Sequence, residues 1–368
     1  MNLEELLKTK QEQPGLPDAA NGFVIYGAGS AGKDVYRILQ KKKLAVRFFI
    51  DRNAEKFGSI EGIKVITPDK AAGADKTGVC AVVGLFNGFV NSADICDELK
   101  AIGFNPVINF YELYHIMPEE FGGRYFMAPK EFLAKNSMKL LETAGIWADT
   151  RSRELYEQAL AFRYTGNMKY SPVPEKKGFS YFPADIPGWK HPERFIDCGA
   201  YVGDTLVDIK KHKGRIKNVI AFEPDPDNFR KLSETVRTGN VAAEAALYPC
   251  AVFSSTGRIS FSAKQDRSGL INTGGERFIQ AASLDEVLPM YRPDMIKMDI
   301  EGAEPEALKG AQKMITKYRP NLAVCMYHTP GHIWEIPQLI KNWNLGYRLY
   351  LRSYNYHSFD IVMHAVKN

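Results

Sequence analysis

A glycine-rich turn and the acid that follows it are the part of this sequence best suited to binding a small ligand. The turn is DCGAYVGDT, residues 197–205, between an apolar run typical of a strand and a helical pattern. Its glycines permit a sharp turn with bare backbone, and the helix start presents N–H groups. Glu223 ends the next predicted strand, about 20 residues on, where an acid can hold ribose hydroxyls. The alternative is that Glu223 is an ordinary surface acid.

A second group of chemically capable residues follows later strands. Asp299 ends the predicted fourth strand of this half, and His328 follows the fifth. Ligands of open parallel sheets bind beyond the carboxyl ends of the strands, so we expect Asp197, Glu223 and Asp299 to face one crevice. His328 should reach the same edge, where an imidazole can act as a base near neutral pH. Its alternative role is capping or packing.

The N-terminal half carries its own nucleotide-type motif. Gly27, Gly29 and Gly32 form a GxGxxG between a predicted strand and a helix, and Asp51 ends the next strand. This is the dinucleotide fingerprint, in which the glycines approach the phosphates and the acid contacts ribose. The sequence thus predicts a second site, for a nucleotide or a nucleotide sugar. The alternative is a module that has lost its ligand and serves for docking.

The elements that must position these residues indicate an α/β protein. Strands alternate with helices over residues 21–109 and again from residue 194, which predicts two parallel sheets covered on both faces. The last two predicted strands, 347–354 and 360–366, have too short a connection to be parallel. We also expect a buried strand over 245–253 and one helix over 304–315. The predicted domains are residues 1–114, a helical connector with a loop over 115–190, and residues 191–368.

Composition limits the classes of protein. Apolar residues make up 45% of the 368 residues, and the net charge of +5 is scattered, so no nucleic-acid footprint is indicated. The five cysteines are far apart without a CxxC pair, which argues against disulfides and a thiolate zinc site. No apolar stretch reaches the ~18 residues of a membrane span, and the N-terminus lacks a signal-peptide pattern. We expect a cytoplasmic protein. The oligomeric state is not readable from the sequence.

The C-terminal half resembles the FkbM family of methyltransferases. The resemblance rests on ordered motifs: FIDCGAYVGDT (195–205), AFEPDP (221–226), SLDEV (283–287), IKMDIEGAE (296–304), LKGA (308–311) and MYH (326–328). It implies a class I methyltransferase fold, with a mostly parallel seven-stranded sheet ending in an antiparallel hairpin. It also implies S-adenosylmethionine as methyl donor and O-methylation of a hydroxyl, often on a sugar, a glycan or a related natural product.

The resemblance also implies roles for individual residues. Asp299, Glu301 and His328 would line the reacting face, with His328 or Asp299 as general base. Alternatively, these three residues would hold Mg²⁺ or a similar ion that lowers the pKa of the hydroxyl. Apart from the resemblance, the connector loop around Tyr181, Phe182 and Trp189 and the terminal strands near Arg348, Arg352 and Tyr354 are candidates for selecting the acceptor, because aromatic faces can stack on sugar rings. The alternative is that these residues pack in the core. The donor site would consist of Asp197, Gly199, Ala200, Gly203, Asp204, Thr205, Glu223, Pro224 and Asp225.

The N-terminal stretch from Asp51 to Val65 is similar to Rossmann-like domains of nucleotide-sugar-modifying enzymes. Two other functions therefore stay open: a nicotinamide-linked oxidoreductase or epimerase of nucleotide sugars, and a non-catalytic ligand-binding scaffold. The ordered C-terminal motifs favour a methyltransferase with a small-molecule or glycan acceptor. We expect Asp197→Ala or Glu223→Ala to abolish binding of S-adenosylhomocysteine while the fold survives.

Overall fold

The computed structural model describes residues 3–8, 15–175, 178–261 and 277–367. The chain divides into two compact units. The N-terminal unit contains Met1–Ser137, Glu157–Val173 and Asn355–Phe359. The C-terminal unit contains Met138–Tyr156, Pro174–Tyr354 and Asp360–Asn368. The predicted connector, residues 115–190, is thus divided between the two units.

The N-terminal unit is built on a largely parallel sheet. Its strands are β1 (Phe23–Tyr26), β2 (Val46–Ile50), β3 (Ser59–Ile60), β4 (Ile63–Ile66), β5 (Cys80–Val83) and β6 (Val107–Asn109). The strand order is β3-β4-β2-β1-β5-β6, with only the β3–β4 pair antiparallel. Every residue of β1 and β5 is buried, as expected for central strands of a sheet covered on both faces.

Helices cover this sheet, and short polar caps start several of them. Asn109 begins one helix with a capping box in which Glu112 bonds back to the Asn109 N–H. The helices are α1 (Leu3–Lys8), α2 (Ser30–Lys41), α3 (Ala54–Phe57), α4 (Pro68–Ala72), α5 (Ser92–Ala101), α6 (Phe110–Ile116), α7 (Pro118–Phe121) and α8 (Lys130–Lys135). Residues of α9 (Ser137–Ala144) and α10 (Thr150–Thr165) fall in both units. A 3₁₀ turn follows at Met168–Tyr170.

The C-terminal unit contains the seven-stranded sheet that the sequence predicts. Its strands are β9 (Arg194–Cys198), β10 (Ile216–Phe222), β11 (Ala242–Tyr248), β15 (Met295–Met298), β16 (Asn321–Cys325), β17 (Tyr347–Ser353) and β18 (Ile361–Lys367). They lie in the order β11-β10-β9-β15-β16-β18-β17. The first five are parallel, whereas β18 runs antiparallel to both β16 and β17. The predicted α/β class and the antiparallel end of the sheet are confirmed.

Smaller sheets and helices complete this unit. The remaining strands are β7 (Gly178–Phe179), β8 (Phe182–Pro183), β12 (Ala251–Val252), β13 (Gly257–Phe261) and β14 (Arg277–Ala282). The helices are α11 (Asp204–Lys213), α12 (Pro226–Gly239), α13 (Leu284–Val287), α14 (Glu304–Lys309), α15 (Gln312–Tyr318) and α16 (His332–Asn342). Within the described ranges, no helix combines the length and apolar character needed to cross a bilayer.

Two local predictions are wrong. The segment predicted as one buried strand over 245–253 is instead the end of β11, an edge strand with mostly exposed residues, followed by the separate strand β12. The helix predicted over 304–315 is broken into α14 and α15 at Gly310. A Cβ on Gly310 would lie 2.0 Å from the Phe253 carbonyl oxygen, so backbone packs directly on backbone there.

Candidate active site

The glycine-rich turn at residues 197–205 joins β9 to α11 and needs its glycines for steric reasons. Gly199 and Gly203 have φ angles of +77° and +84°, which side chains disfavour. A Cβ on Gly199 would also lie 1.9 Å from the Asp299 carbonyl oxygen. The turn is therefore packed against the backbone at the end of β15.

Glu223 and this turn converge, as the sequence predicts. The Glu223 carboxylate accepts the N–H of Tyr201 in the turn and the N–H of Asp225, both at 2.9 Å. Burial raises the pKa of Glu223, and these two N–H donors offset part of the rise. The acid thus closes one side of a concave backbone turn at the carboxyl edge of the sheet.

Asp197 has different surroundings from those expected of a ligand contact. Its side chain is fully buried and lies 3.0 Å from the Lys297 ammonium, which is buried as well. Lys297 also donates to the Gly199 carbonyl oxygen at 2.6 Å. Burial raises the pKa of Asp197 to about 6, against the lowering effect of Lys297. The pair ties β9, β15 and the turn together from inside.

The other predicted donor residues surround the same turn in different environments. The side chains of Ala200 and Thr205 are buried, and Asp204 is exposed at the first position of α11. Asp225 caps α12 by accepting the N–H groups of Asp227 and Asn228, and Pro224 precedes it. Contact of any of these residues with a methyl donor stays a prediction.

Asp299 lies at the end of β15 and accepts from several donors. Tyr181 donates to its Oδ2 at 2.7 Å, and Tyr327 donates to its Oδ1 at 3.3 Å. The His328 Nε2 lies 3.2 Å from the same Oδ1. Although burial opposes ionisation, His328 and Lys297 hold the pKa of Asp299 well below its usual value. Asp299 is thus an ionised hydrogen-bond acceptor at neutral pH.

His328 lies among carboxylates on both sides of its ring. Its Nδ1 is 2.7 Å from the Glu304 Oε1, and its Nε2 is 3.7 Å from the Glu301 Oε2. Burial alone would lower the pKa of His328, but Glu304, Asp299 and Glu301 raise it well above the ordinary value. The ring is therefore an imidazolium at neutral pH.

Asp299, Glu301, Glu304 and His328 form a carboxylate–histidine cluster, in which Glu301 is the most accessible acid. Its side chain is 45% exposed, compared with 24% for Asp299 and 0% for His328. The partial burial of Glu301 raises its pKa to about 7, and the charges of Asp299, Glu304 and Asp360 add to the rise, although the His328 charge lowers it. Its backbone has a φ of +54°, a strained conformation of the kind that occurs at functional sites. Glu301 is suited to exchanging a proton near neutral pH.

Two of the three predicted metal ligands belong to a group whose ligand atoms lie close together. These are Asp299 and His328, and with Glu304 they have ligand atoms within 4.8 Å of one another, so Glu304 joins the predicted set. A carboxylate that holds the Nδ1 of a histidine is a common partner of a metal-ligating imidazole, and here Glu304 lies at Nδ1 while Nε2 faces Asp299. Metal binding by these residues stays a prediction.

The N-terminal fingerprint has the predicted local geometry. Gly27 has a φ of +101°, and a Cβ on Gly32 would lie 1.9 Å from the Gly27 carbonyl oxygen. Asp51 accepts the Ala28 N–H at 2.9 Å, just as Glu223 accepts an N–H of its own turn. The neighbourhood of Gly29 is open. Binding of a nucleotide here stays a prediction.

Lys297 is not among the residues predicted for the site. Its place within the apolar run of β15 is nevertheless a signal in the sequence, since buried lysines are rare unless they are paired. Tyr181, predicted to help select the acceptor, donates to Asp299, and Trp189 donates to the Tyr181 carbonyl oxygen. Contact of either residue with an acceptor stays a prediction. Arg352, also expected near the acceptor, is buried against Asp149 and Asp185, so its role there is structural.

Residues 197–357 match the family model of the methyltransferase FkbM domain. A hexuronic acid methyltransferase, AglP, from Haloferax volcanii is 35% identical over 101 residues, which are 25% of this chain. The match spans only 41% of that relative's length.

A solved structure extends the comparison to the fold of nearly the whole chain. The methyltransferase FkbM structure from Methylobacillus flagellatus matches with a TM-score of 0.74 at 21% identity. The match covers 99% of this chain and 93% of the other. At that identity the likeness concerns the fold alone. The resemblance to the methyltransferase FkbM domain is carried by residues 197–357, which are less than half of the chain.

Proposed function

We propose that this chain transfers the methyl group of S-adenosylmethionine to a hydroxyl of a sugar or a sugar-containing natural product. The observation that carries the proposal is that the glycine-rich turn adjoins the carboxylate–histidine cluster. Gly199 packs on the Asp299 backbone, and Lys297 bonds both Gly199 and Asp197. A donor held by the turn and an acceptor held by the cluster would be neighbours, as methyl transfer requires. The FkbM family match and the hexuronic acid methyltransferase relative support the same chemistry.

The roles of the chain's own residues follow from their protonation states. Bound S-adenosylmethionine supplies an electrophilic methyl group on a sulfonium. The acceptor oxygen attacks the methyl carbon, the C–S bond breaks with its electron pair left on sulfur, and the hydroxyl proton passes to Glu301. Glu301 suits this task because its pKa is about 7 and its side chain is accessible. Asp299 would accept a hydrogen bond from the acceptor and orient it.

The charge of the cluster favours a neutral acceptor group. Asp299, Glu301, Glu304 and Asp360 interact electrostatically within the same region, while His328 and Lys297 supply the positive charges. A carboxylate brought to Glu301 would meet like charge, whereas a hydroxyl would find a base and a hydrogen-bond acceptor. We therefore assign the methylated group as a hydroxyl even if the acceptor is a sugar acid.

The test uses S-adenosylmethionine carrying a labelled methyl group and a panel of neutral monosaccharides, hexuronic acids and nucleotide sugars. We expect labelled product that survives mild alkali, because a methyl ether is stable there and a methyl ester is hydrolysed. Label found only in alkali-labile product would overturn the hydroxyl assignment. Absence of transfer together with absence of S-adenosylhomocysteine binding would overturn the methyltransferase proposal.

Glu223→Ala is expected to weaken S-adenosylhomocysteine binding about 10- to 100-fold, since hydrogen bonds to charged groups contribute about 1.5–3 kcal/mol. The change removes the carboxylate that would hold the ribose and also the acceptor of the Tyr201 N–H. Calorimetric titration measures the effect. Asp51→Ala is the matched control, because Asp51 accepts a loop N–H in the N-terminal unit and should leave this binding unchanged. Equal losses in both variants would contradict the donor-site assignment.

A further inference from the structure

We propose that Tyr181 is a positioning residue for this reaction, whose hydroxyl fixes the Asp299 carboxylate so that one of its oxygens stays directed at the acceptor. The inference rests on the proposed function and extends it, because the steps proposed above leave Tyr181 without a part. Tyr181 lies in the two-residue turn between β7 and β8, where Phe179 pairs with Phe182. It is buried within the C-terminal unit.

The backbone of Tyr181 has a conformation that a bulky residue rarely adopts. Its φ is +68°, in the left-handed region that favours glycine. Such a conformation persists when surrounding contacts hold the residue in place, and it is common at functional sites. The Tyr181 carbonyl oxygen accepts the indole N–H of Trp189 at 3.0 Å, and the Lys297 ammonium lies 5.2 Å from the centre of the ring. These contacts hold the hairpin turn so that the phenol enters the site in one direction.

The hydroxyl of Tyr181 is directed at one oxygen of a carboxylate. It donates to the Asp299 Oδ2 at 2.7 Å, a short bond of the kind that ionised acceptors form. It also lies 3.8 Å from the Cys325 Sγ, a much weaker partner. The other oxygen, Oδ1, faces the His328 Nε2 at 3.2 Å and the Tyr327 hydroxyl at 3.3 Å. Because the bond to Oδ2 prevents the carboxylate from turning, Oδ1 keeps a fixed direction for an acceptor hydroxyl.

A purely structural role of Tyr181 would have different consequences. Tyr181 would then act through its ring, which fills space and contacts the Lys297 ammonium, and its hydroxyl would matter little to the reaction. In the positioning role, the hydroxyl matters because Asp299 needs its hydrogen bond. A substitution that removes the hydroxyl and keeps the ring therefore separates the two roles.

Tyr181→Phe is that substitution. We expect kcat for methyl transfer to fall about tenfold, because a poorly oriented acceptor reacts more slowly, while the KM for S-adenosylmethionine stays unchanged. Tyr291→Phe is the matched control: it also removes one hydroxyl hydrogen bond, but Tyr291 precedes β15 at the opposite end of that strand and donates to Asn218. This control should keep the full kcat. A Tyr181→Phe protein with an unchanged kcat overturns the proposal.

A second measurement tests the hydrogen bond without relying on activity. The urea midpoint of the C-terminal unit is measured for Tyr181→Phe in the unmodified chain and in an Asp299→Ala chain. We expect Tyr181→Phe to lower the midpoint in the unmodified chain, where it removes a bond. In the Asp299→Ala chain it should leave the midpoint unchanged or raise it, because the buried hydroxyl has lost its acceptor. Tyr291→Phe should lower the midpoint equally in both chains.

The two measurements separate failure of this inference from failure of the proposed function. Equal lowering of the midpoint by Tyr181→Phe in both chains would show that Asp299 is not the partner of the hydroxyl, and this overturns the positioning role. If the unmodified protein transfers no methyl group, the proposed reaction is refuted, and the unfolding comparison still decides whether Tyr181 fixes Asp299. If the unmodified protein is active and Tyr181→Phe is equally active, the positioning role alone is refuted.

Discussion

Glu301→Gln is expected to lower kcat for methyl transfer by about 10²- to 10⁴-fold, the usual contribution of a general base. Glutamine keeps the size of the side chain and tolerates the φ of +54° no worse than glutamate, but it cannot accept the proton. Binding of S-adenosylhomocysteine should stay unchanged, because the donor turn is held by Glu223 and Lys297.

The choice of Glu301 as base follows from comparison with its two neighbours. His328 has no exposed surface and is already protonated, so it can neither reach nor accept a proton. Asp299 accepts from Tyr181 and Tyr327, and its lowered pKa makes it a weak base. The general base that the sequence places at His328 or Asp299 is therefore better assigned to Glu301, and this assignment remains a proposal until it is tested.

The pH dependence of the reaction checks this choice. Only the ionised form of Glu301 accepts a proton, so kcat/KM should rise with pH and level off above its pKa of about 7. In Glu301→Gln that rise should disappear and leave a low rate with little dependence on pH. Glu306→Gln serves as the control, because Glu306 pairs with Lys309 away from the proposed base, and it should keep the full pH profile. If Glu301→Gln retained more than a tenth of the activity with an unchanged pH profile, Glu301 would be excluded as the base.

Much of the fold follows from patterns that the sequence states locally. Central strands such as β1, β5 and β9 are short apolar runs followed by turns, and the brief connection between β17 and β18 requires antiparallel pairing. The predictions from sequence are wrong where backbone from a distant part of the chain determines the local structure. The break at Gly310 depends on the Phe253 carbonyl more than fifty positions earlier, which no local pattern reveals.

The sequence predicts where the motifs of the candidate site lie, but it does not predict the burial and the partners of their side chains. Periodicity and spacing place Asp197, Glu223 and Asp299 at the carboxyl ends of neighbouring strands, where the structure has them. Asp197, however, is fully buried against Lys297 and does not face the predicted crevice. The functions of those acids differ because of burial and partners, which depend on packing. Glu304 at a helix start and Lys297 in an apolar run are read from sequence as a helix-end acid and a strand residue. Only the three-dimensional contacts identify them as charge partners of His328 and Asp197.

Asp197→Ala is expected to destabilise the protein by about 3–5 kcal/mol, the usual effect of removing one partner of a buried ion pair. The Lys297 ammonium would stay buried with its main counter-ion gone, and the neighbouring Asp299 would compensate only in part. This differs from the expectation from sequence, in which the fold survives the substitution. Any loss of S-adenosylhomocysteine binding in Asp197→Ala would then report on the folded state of the turn rather than on a direct contact.

Urea unfolding, followed by a signal from the C-terminal unit, measures the change in the free energy of unfolding. A double substitution makes the test specific, because the ion pair predicts the sign of the further change in that free energy. Asp197→Ala combined with Lys297→Met should be more stable than Asp197→Ala alone, since the second change removes the stranded charge and refills the space. Asp227→Ala is the control, because it breaks an exposed pair with Arg230 and should change stability by less than about 1 kcal/mol. If the double variant were the less stable one, Lys297 would be stabilising the turn through Gly199 rather than through Asp197. The internal tie between β9 and β15 would then be a hydrogen bond to backbone and not an ion pair.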